Sequence, residues 1–307
     1  MTRNITIGTR GSKLAIIQAE TILAKLRETA PGLRLSLLKI ATKGDRESNT
    51  ALDRFSEEGV FVKELEKALI EGEIDLAVHS LKDLPTEIPD DLSLAAVTAR
   101  LDPADALVSR TGGLAELTPG SKIGTGSPRR AVQLLACRPD LKIVEMRGNI
   151  DTRLQKVFSG TVDSIIVAAA AMIRLGWENR ITEYLSIEHF TPAVGQGALG
   201  IEIRSGDKET AMLVSRINHK STWQSTTAER SFLEALGGGC RAPIAALGTV
   251  FGNTLKLEGM IAGAKSDHIL RCLEEDNVKN PEQIGIRLAQ KMTSMGALDY
   301  IAEAKAH

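Results

Sequence analysis

The chain has 307 residues, 43% hydrophobic and 25% charged, which suits two or three domains, each with its own core. Its formal net charge of -1 gives no global pull toward nucleic acid or an anionic membrane, and 3% aromatics leave few platforms for stacking single-stranded bases. No apolar run approaches the ~20 residues of a membrane helix. The N-terminal stretch has no apolar core of signal-peptide length. Cys137, Cys240 and Cys272 show no CxxC pairing, and the five histidines are scattered without metal-ligand spacing. A soluble, cytoplasmic, monomeric chain with reduced thiols and no metal is expected.

Ile5 and Ile7 alternate with polar residues and predict a strand, followed by the loop GTRGS and an amphipathic helix at Leu14, Ile17, Ile22 and Leu26. Ser12 stands where an N-cap belongs, Pro31-Gly32 ends the helix, and LRLSLLKIAT is the next strand. The polar stretch 44–59, GDRESNTALDRFSEEG, is expected to be a mobile lid. KIGTGSPRRAVQLLACRPD (122–140) repeats the opening plan, with Ser127 as N-cap, Pro128 at the first helical position and Pro139 as the stop. LKIATKGD (38–45) likewise matches LKIVEMRGN (141–149), and GEIDLAVHSLKDLP (72–85) matches GTVDSIIVAAAAMIRLG (160–176), each of the latter two with a Gly-x-Ile/Val-Asp turn feeding a buried strand and a charged loop.

Three such pairs in one order predict two related doubly wound α/β lobes with mostly parallel sheets covered on both faces. After FTPAVGQGALGIEIRSGD (190–207) the character changes. TWQSTTAERSFLEALGGG predicts a helix stopped by Gly237, segments 243–251, 254–263 and 268–274 predict antiparallel strands, and PEQIGIRLAQKMTSMGALDYIAEAK closes the chain as a helical segment. The expected division is 1–98 with 198–215 as the first lobe, 99–197 as the second, and 216–307 as an α+β domain that carries Cys240.

In doubly wound folds ligands sit beyond the carboxyl ends of strands. GTRGS, TKGD, HSLKDLP, GTGSPRR, RGNIDTR and IRLG all fall there and are expected to converge on one cleft. They carry Arg10, Lys43, Lys82, Arg129, Arg130, Arg147, Arg153 and Arg174, with Arg46 and Arg54 on the polar stretch. Taken singly, each is readable as a solvated surface charge. As a set they predict a polyanionic ligand with several separated negative groups. Asp83 is the exception among these cations. It either holds positive charge or N-H donors on a ligand, or merely caps a turn. Cys240 follows three glycines beyond a helix C-terminus, whose dipole disfavours a thiolate, while Arg241 favours one. With no adjacent histidine a turnover nucleophile is poorly supported. A site of one-time covalent attachment and a plain loop cysteine both remain open.

The motifs TRGSKLA, HSLKDLPT, GTGSPRR, RGNIDTRL, PAVGQGALGIE, TAERSFL and GGGCRAPI, in this order and spacing, resemble the porphobilinogen deaminase (hydroxymethylbilane synthase) family over nearly the whole chain. The resemblance implies an enzyme that joins four porphobilinogen molecules head to tail, releases four ammonia and hydrolyses off linear hydroxymethylbilane, with no nucleic-acid or membrane partner. It implies a dipyrromethane cofactor on a thioether to Cys240, and Asp83 as the catalytic carboxylate. The cofactor would be held by Ser80, Lys82, Asp83, Thr125, Ser127, Arg129, Arg130, Arg147 and Arg153, and substrate by Arg10, Ser12, Arg147, Arg153, Arg174 and Gln196. The two lobes resemble type II periplasmic-binding-protein domains.

Two departures from the family pattern stand out. Glu58 occupies a common lysine position, with Arg54 one helical turn away, and Gly126-Ser127-Pro128 replaces a common Ser-Ser-Leu. The competing readings are a non-catalytic two-lobe anion-binding protein and a cysteine hydrolase using His219.

Overall fold

A computed structural model describes residues 4–41, 62–237, 243–263 and 268–306. The chain gathers into two compact units, Met1–Leu101 with Ala198–Trp223, and Asp102–Gly197 with Gln224–His307. Among the described residues, no helix is long and apolar enough to cross a membrane.

The first unit is built on a sheet of β1 (Asn4–Arg10), β2 (Arg34–Ile40), β3 (Leu76–Ser80), β4 (Leu92–Val97) and β10 (Leu199–Arg204), in the order β2-β1-β3-β10-β4. Side-chain alternation assigns its two faces. Ile5, Ile7, Leu76 and Val78 pack with Ala19, Ile22 and Leu26 of α1 (Lys13–Thr29), joined by Leu213 and Val214 of α6 (Lys208–Ser215). Ala77 faces the other way, onto Leu65 and Leu69 of α2 (Lys63–Ile70).

The second unit repeats this design with β5 (Asp105–Ser109), β6 (Lys122–Gly124), β7 (Lys142–Val144), β8 (Ser164–Ala168) and β9 (Glu183–Tyr184), in the order β7-β6-β8-β5-β9. Ile165 and Val167 pack with Leu154 and Val157 of α4 (Ile150–Phe158). Ile123 and Ile166 pack with Leu134 of α3 (Pro128–Cys137).

The sheets are mixed rather than mostly parallel. β1 runs parallel to β2 and β3, but β10 is antiparallel to β3 and β4. Likewise β6 runs parallel to β7 and β8, but β5 is antiparallel to β8 and β9. Strands buried on both faces read as apolar runs in either direction, so their sequence does not encode the pairing sense.

The Gly-x-Ile/Val-Asp turns are equivalent down to their hydrogen bonds. Gly72 and Gly160 adopt φ of 77° and 80°, the left-handed region that glycine enters without a Cβ penalty. Asp75 N-H donates to Thr6 O at 2.8 Å, and Thr6 N-H donates back to Asp75 Oδ2 at 2.8 Å. Asp163 N-H donates to Lys122 O at 2.9 Å, and Lys122 N-H donates back to Asp163 Oδ2 at 2.8 Å. An arginine pairs with each aspartate, Arg204 at the end of β10 with Asp75 at 3.2 Å and Arg110, just beyond β5, with Asp163 at 3.3 Å.

The second unit also holds an antiparallel sheet of β11 (Ile244–Phe251), β12 (Thr254–Ala262) and β13 (Ile269–Asn277). One face packs on α7 (Lys220–Ala235), α8 (Pro281–Ser294) and α9 (Ala297–Ala306) through Phe232, Leu236, Leu257, Leu288 and Ile301. Gly237, at φ 59°, terminates α7, and Gly296 divides the closing helical segment in two. The other face of the sheet, through Ala245, Met260 and Ala262, covers Val132 of α3. Arg271 of β13 reinforces that contact by donating to Gln133 Oε1 at 3.1 Å and His189 O at 2.6 Å.

Candidate functional site

β1 and β3 are parallel neighbours, so their carboxyl ends open on one edge of the first sheet. There Arg10, Ser12, Gln18, His79, Ser80 and Asp83 line a cavity of about 60 Å³. Ser12 is the N-cap of α1, its Oγ accepting Ala15 N-H at 3.3 Å. Gln18 Nε2 donates to Ser80 Oγ at 2.7 Å and fixes that hydroxyl. Leu81–Asp83 form one 3-10 turn. Leu81 is buried with Leu84, Val97 and Ala198, which pins the turn, and Asp83 is left exposed beside half-buried Lys82. Asp83 has no hydrogen-bond partner among the described residues, so the turn-cap role weighed for it is not taken up there.

Behind this cavity lies a buried pair that sequence reasoning missed. His79 Nε2 is 3.0 Å from Glu202 Oε2, both side chains buried. Burial, and then the charge of Glu202, raise the pKa of nearby Glu66.

In the second unit β6 ends in a loop that organises α3. Thr125 Oγ1 accepts Ser127 N-H at 3.2 Å, and Ser127 caps the helix by accepting Arg130 N-H at 3.4 Å. Gly126 explains one departure from the family pattern, since a Cβ there would lie 2.6 Å from Met146 O. The backbone is too close for the serine hydroxyl that the pattern would place at this position.

Arg129 and Arg130 both turn inward, 5% and 7% exposed, onto fully buried Asp105. Arg129 Nη2 lies 2.8 Å from Asp105 Oδ2. Arg130 donates to Asp105 Oδ1 through Nε at 3.0 Å and Nη2 at 2.6 Å. Burial alone would push the Asp105 carboxyl up, but the two guanidiniums and the hydrogen bonds from Arg130 and Gln196 outweigh it and hold it well below the usual carboxylate range. Burial lowers the pKa of Arg129, as does the charge of Arg130, while Asp105 opposes both.

The remaining arginines are placed by helices as much as by loops. RGNIDTR and IRLG are only partly loop, because Arg153 lies in the first turns of α4 and Arg174 ends α5 (Ala169–Arg174), which β8 enters directly at Ala168. Arg153 Nε donates to Gly148 O at 2.8 Å, and its pKa is lowered by burial and by the charge of Arg130. Arg174 Nη2 donates to Gly197 O at 2.7 Å, and burial lowers its pKa to about 10. Arg147 donates to Glu145 Oε1 through Nε at 3.0 Å and Nη2 at 2.6 Å.

Gln196, expected to bind substrate, is wholly buried, and Nε2 donates to Asp105 Oδ1 at 2.9 Å and Pro103 O at 2.7 Å. That makes it a support for Asp105. Asp105 itself was missed from sequence. Its signal was an aspartate opening the otherwise apolar strand DALVS, a position tolerated only with partners.

Cys240, Lys43, Arg46, Arg54, Glu58 and the stretch 44–59 lie outside the described residues. The remaining sequence-predicted site residues fall into two sets. Arg10, Ser12, Ser80, Lys82 and Asp83 gather in the first unit, and Thr125, Ser127, Arg129, Arg130, Arg147, Arg153, Arg174 and Gln196 belong to the second. His219, weighed as a base for a hydrolase, has Nδ1 2.8 Å from Thr222 Oγ1 at the start of α7.

Comparison with known proteins gives a consistent result. The family "Porphobilinogen deaminase, dipyromethane cofactor binding domain" matches residues 5–212, and "Porphobilinogen deaminase, C-terminal domain" matches residues 223–294. A porphobilinogen deaminase of Pelotomaculum thermopropionicum is 44% identical over 306 residues, covering 99% of this chain and 98% of the relative. One of Moorella thermoacetica is 45% identical over 303 residues, covering 98% and 97%. Among solved structures, the Bordetella pertussis BvgS periplasmic VFT2 domain is similar at a TM-score of 0.41 and 16% identity, covering 70% of this chain and 86% of that one.

Proposed function

The chain belongs to the porphobilinogen deaminase family, and from that premise we propose which of its residues perform the reaction. It is a transferase of tetrapyrrole biosynthesis that joins porphobilinogen units head to tail, releases ammonia and yields hydroxymethylbilane on a dipyrromethane cofactor. The non-catalytic alternative has no support, because relatives matching nearly the full length all carry the deaminase name.

The observation that carries the residue assignment is the buried arginine set of the second unit. Arg129 and Arg130 share one carboxylate, and Arg153 feels the charge of Arg130. This is an excess of positive charge held away from water, where it acts strongly on an anion. A dipyrromethane with an acetate and a propionate on each ring fits that excess. Ligand carboxylates would also relieve the cost of burial at Arg153 and Arg174. We assign Arg129, Arg130, Arg147 and Arg153, with Thr125 and Ser127, to the cofactor and growing chain, together with Lys82 and Ser80 of the first unit, and we assign Cys240 as the thioether anchor. When bound, the cofactor supplies the pyrrole carbon from which the chain is extended.

Arg10, Ser12 and Arg174 are assigned to substrate carboxylates. Asp83 is assigned as the catalytic carboxylate. Exposed at the rim of the cavity, it is an acceptor for pyrrole N-H and stabilises the positive charge that develops on the substrate as ammonia leaves. Ser80, held by Gln18, offers a second polar contact beside it.

The three-part division 1–98 with 198–215, 99–197 and 216–307 is retained as a proposal, supported by one sheet in each part, although the start of α7 up to Trp223 clusters with the first unit. A cytoplasmic location is proposed on the three cysteines without paired spacing, and a monomer on a sequence that shows no coiled-coil heptads. Intact mass with and without added porphobilinogen tests the whole reading. A mass above the bare chain by one dipyrromethane and stepwise adducts are expected, and a bare-chain mass in active protein would overturn the cofactor assignment.

A further inference from the structure

We infer that Asp105 is a positioning residue for the reaction. By locking Arg129 and Arg130 in one arrangement and cancelling one of their two charges, it makes the pair a preformed receptor for a single carboxylate of the pyrrole chain. The inference rests on the assignment of the two arginines to ligand carboxylates and adds how they are made fit for it.

Asp105 opens β5, and both its carboxylate oxygens are engaged, Oδ2 by Arg129 Nη2 at 2.8 Å and Oδ1 by Arg130 and by Gln196 Nε2 at 2.9 Å. Each guanidinium is also held from a second side, Arg129 Nη1 donating to Thr191 O at 2.7 Å and Arg130 Nη1 to Ile166 O at 3.2 Å. Both arginines are therefore fixed before any ligand arrives. A flexible arginine would lose rotamer freedom on binding, and a pre-ordered one does not. Arg129 and Arg130 are like charges close enough for one to lower the pKa of the other. Without an anion between them they would move apart. With Asp105 the group has a net charge of about +1, so one ligand carboxylate neutralises it and a second would be repelled. Arg153 is the further cation whose pKa registers this group.

A merely structural ion pair would stabilise β5 and α3 and do nothing more. The full chain is therefore compared as wild type, Asp105→Glu, Asp105→Asn, Arg129→Gln, Arg130→Gln and the double variant Asp105→Asn with Arg129→Gln. Three quantities are read: thermal stability, the fraction of molecules carrying dipyrromethane by intact mass, and KM and kcat for porphobilinogen. Asp105→Glu keeps the charge but displaces it by one methylene. It is expected to fold, with cofactor occupancy reduced or KM raised roughly tenfold and kcat changed less.

In the double variant the effect of losing Asp105 is expected to be largely contained in that of losing Arg129. Wild-type occupancy and KM in folded Asp105→Glu would overturn the inference, as would simple additivity in the double variant. If both arginine variants keep wild-type occupancy and KM, the assignment beneath it fails instead.

Discussion

Glu229 accepts the backbone N-H of Gly195 at 2.7 Å through one carboxylate oxygen, and its other oxygen accepts Gly248 N-H at 2.8 Å. The side chain is fully buried on α7 and ties the strand β11 to the segment that presents Gln196 to Asp105. An amide in its place keeps one acceptor and turns an NH2 toward the other N-H. Glu229→Gln is therefore expected to lose about 1–3 kcal/mol of stability, read as a lowered urea midpoint. An unchanged midpoint would show that the carboxylate is not what holds this segment.

Asp83 contrasts with Glu229 because it is exposed and has no partner among the described residues. Asp83→Asn and Asp83→Ala are expected to leave thermal stability within about 0.5 kcal/mol of wild type while lowering kcat by roughly 100-fold or more. Near-normal turnover in either variant would remove Asp83 from the mechanism.

Cys240 is one of three cysteines, so attachment is testable by elimination. The Cys240→Ala chain should show the bare-chain mass and no turnover. Cys137→Ala and Cys272→Ala should each keep the added mass of one dipyrromethane. Retention of that mass in Cys240→Ala would place the anchor elsewhere.

Stability should depend on pH through Asp105. Its folded pKa is depressed because Arg129 and Arg130, with the Arg130 and Gln196 hydrogen bonds, overcome the upward push of burial. A depressed carboxyl contributes stability that is complete above the ordinary carboxylate pKa of about 4 and is lost as pH falls toward the folded value. Wild type is therefore expected to lose stability below about pH 4 more steeply than Asp105→Asn, measured by urea unfolding across an acid series. Glu66 has the opposite sign. Its pKa is raised by burial and by Glu202, so Glu66→Gln should gain stability at neutral pH and gain nothing in acid.

Local features of the fold were legible because they depend on near neighbours in sequence. Ser12 and Ser127 cap the helices they were expected to cap, Gly237 ends α7, and the two Gly-x-Ile/Val-Asp turns are equivalent. What was not legible depends on distant partners. The direction of β10 and β5 left no mark on runs buried on both faces. The ionic group around Asp105 joins a strand start, a helix and the segment at Gln196, up to 91 positions apart. The arginines stood out by type and spacing, but that two of them face inward onto an aspartate is decided by tertiary packing. The strand-to-helix passage at Ala168 was hidden in an alanine run that suits either state.

The strand order of the first sheet also sets a timetable. β10 lies between β3 and β4, yet it is made only after the whole of the second sheet. A chain emerging from the ribosome therefore holds all five strands of the second sheet while the first still lacks one of its interior members. The later-encoded sheet is the first that can be completed, and β4 waits for its neighbour across about a hundred residues of intervening synthesis. A nascent chain halted just before Leu199 should protect the amides of β5–β9 from exchange and leave β4 unprotected.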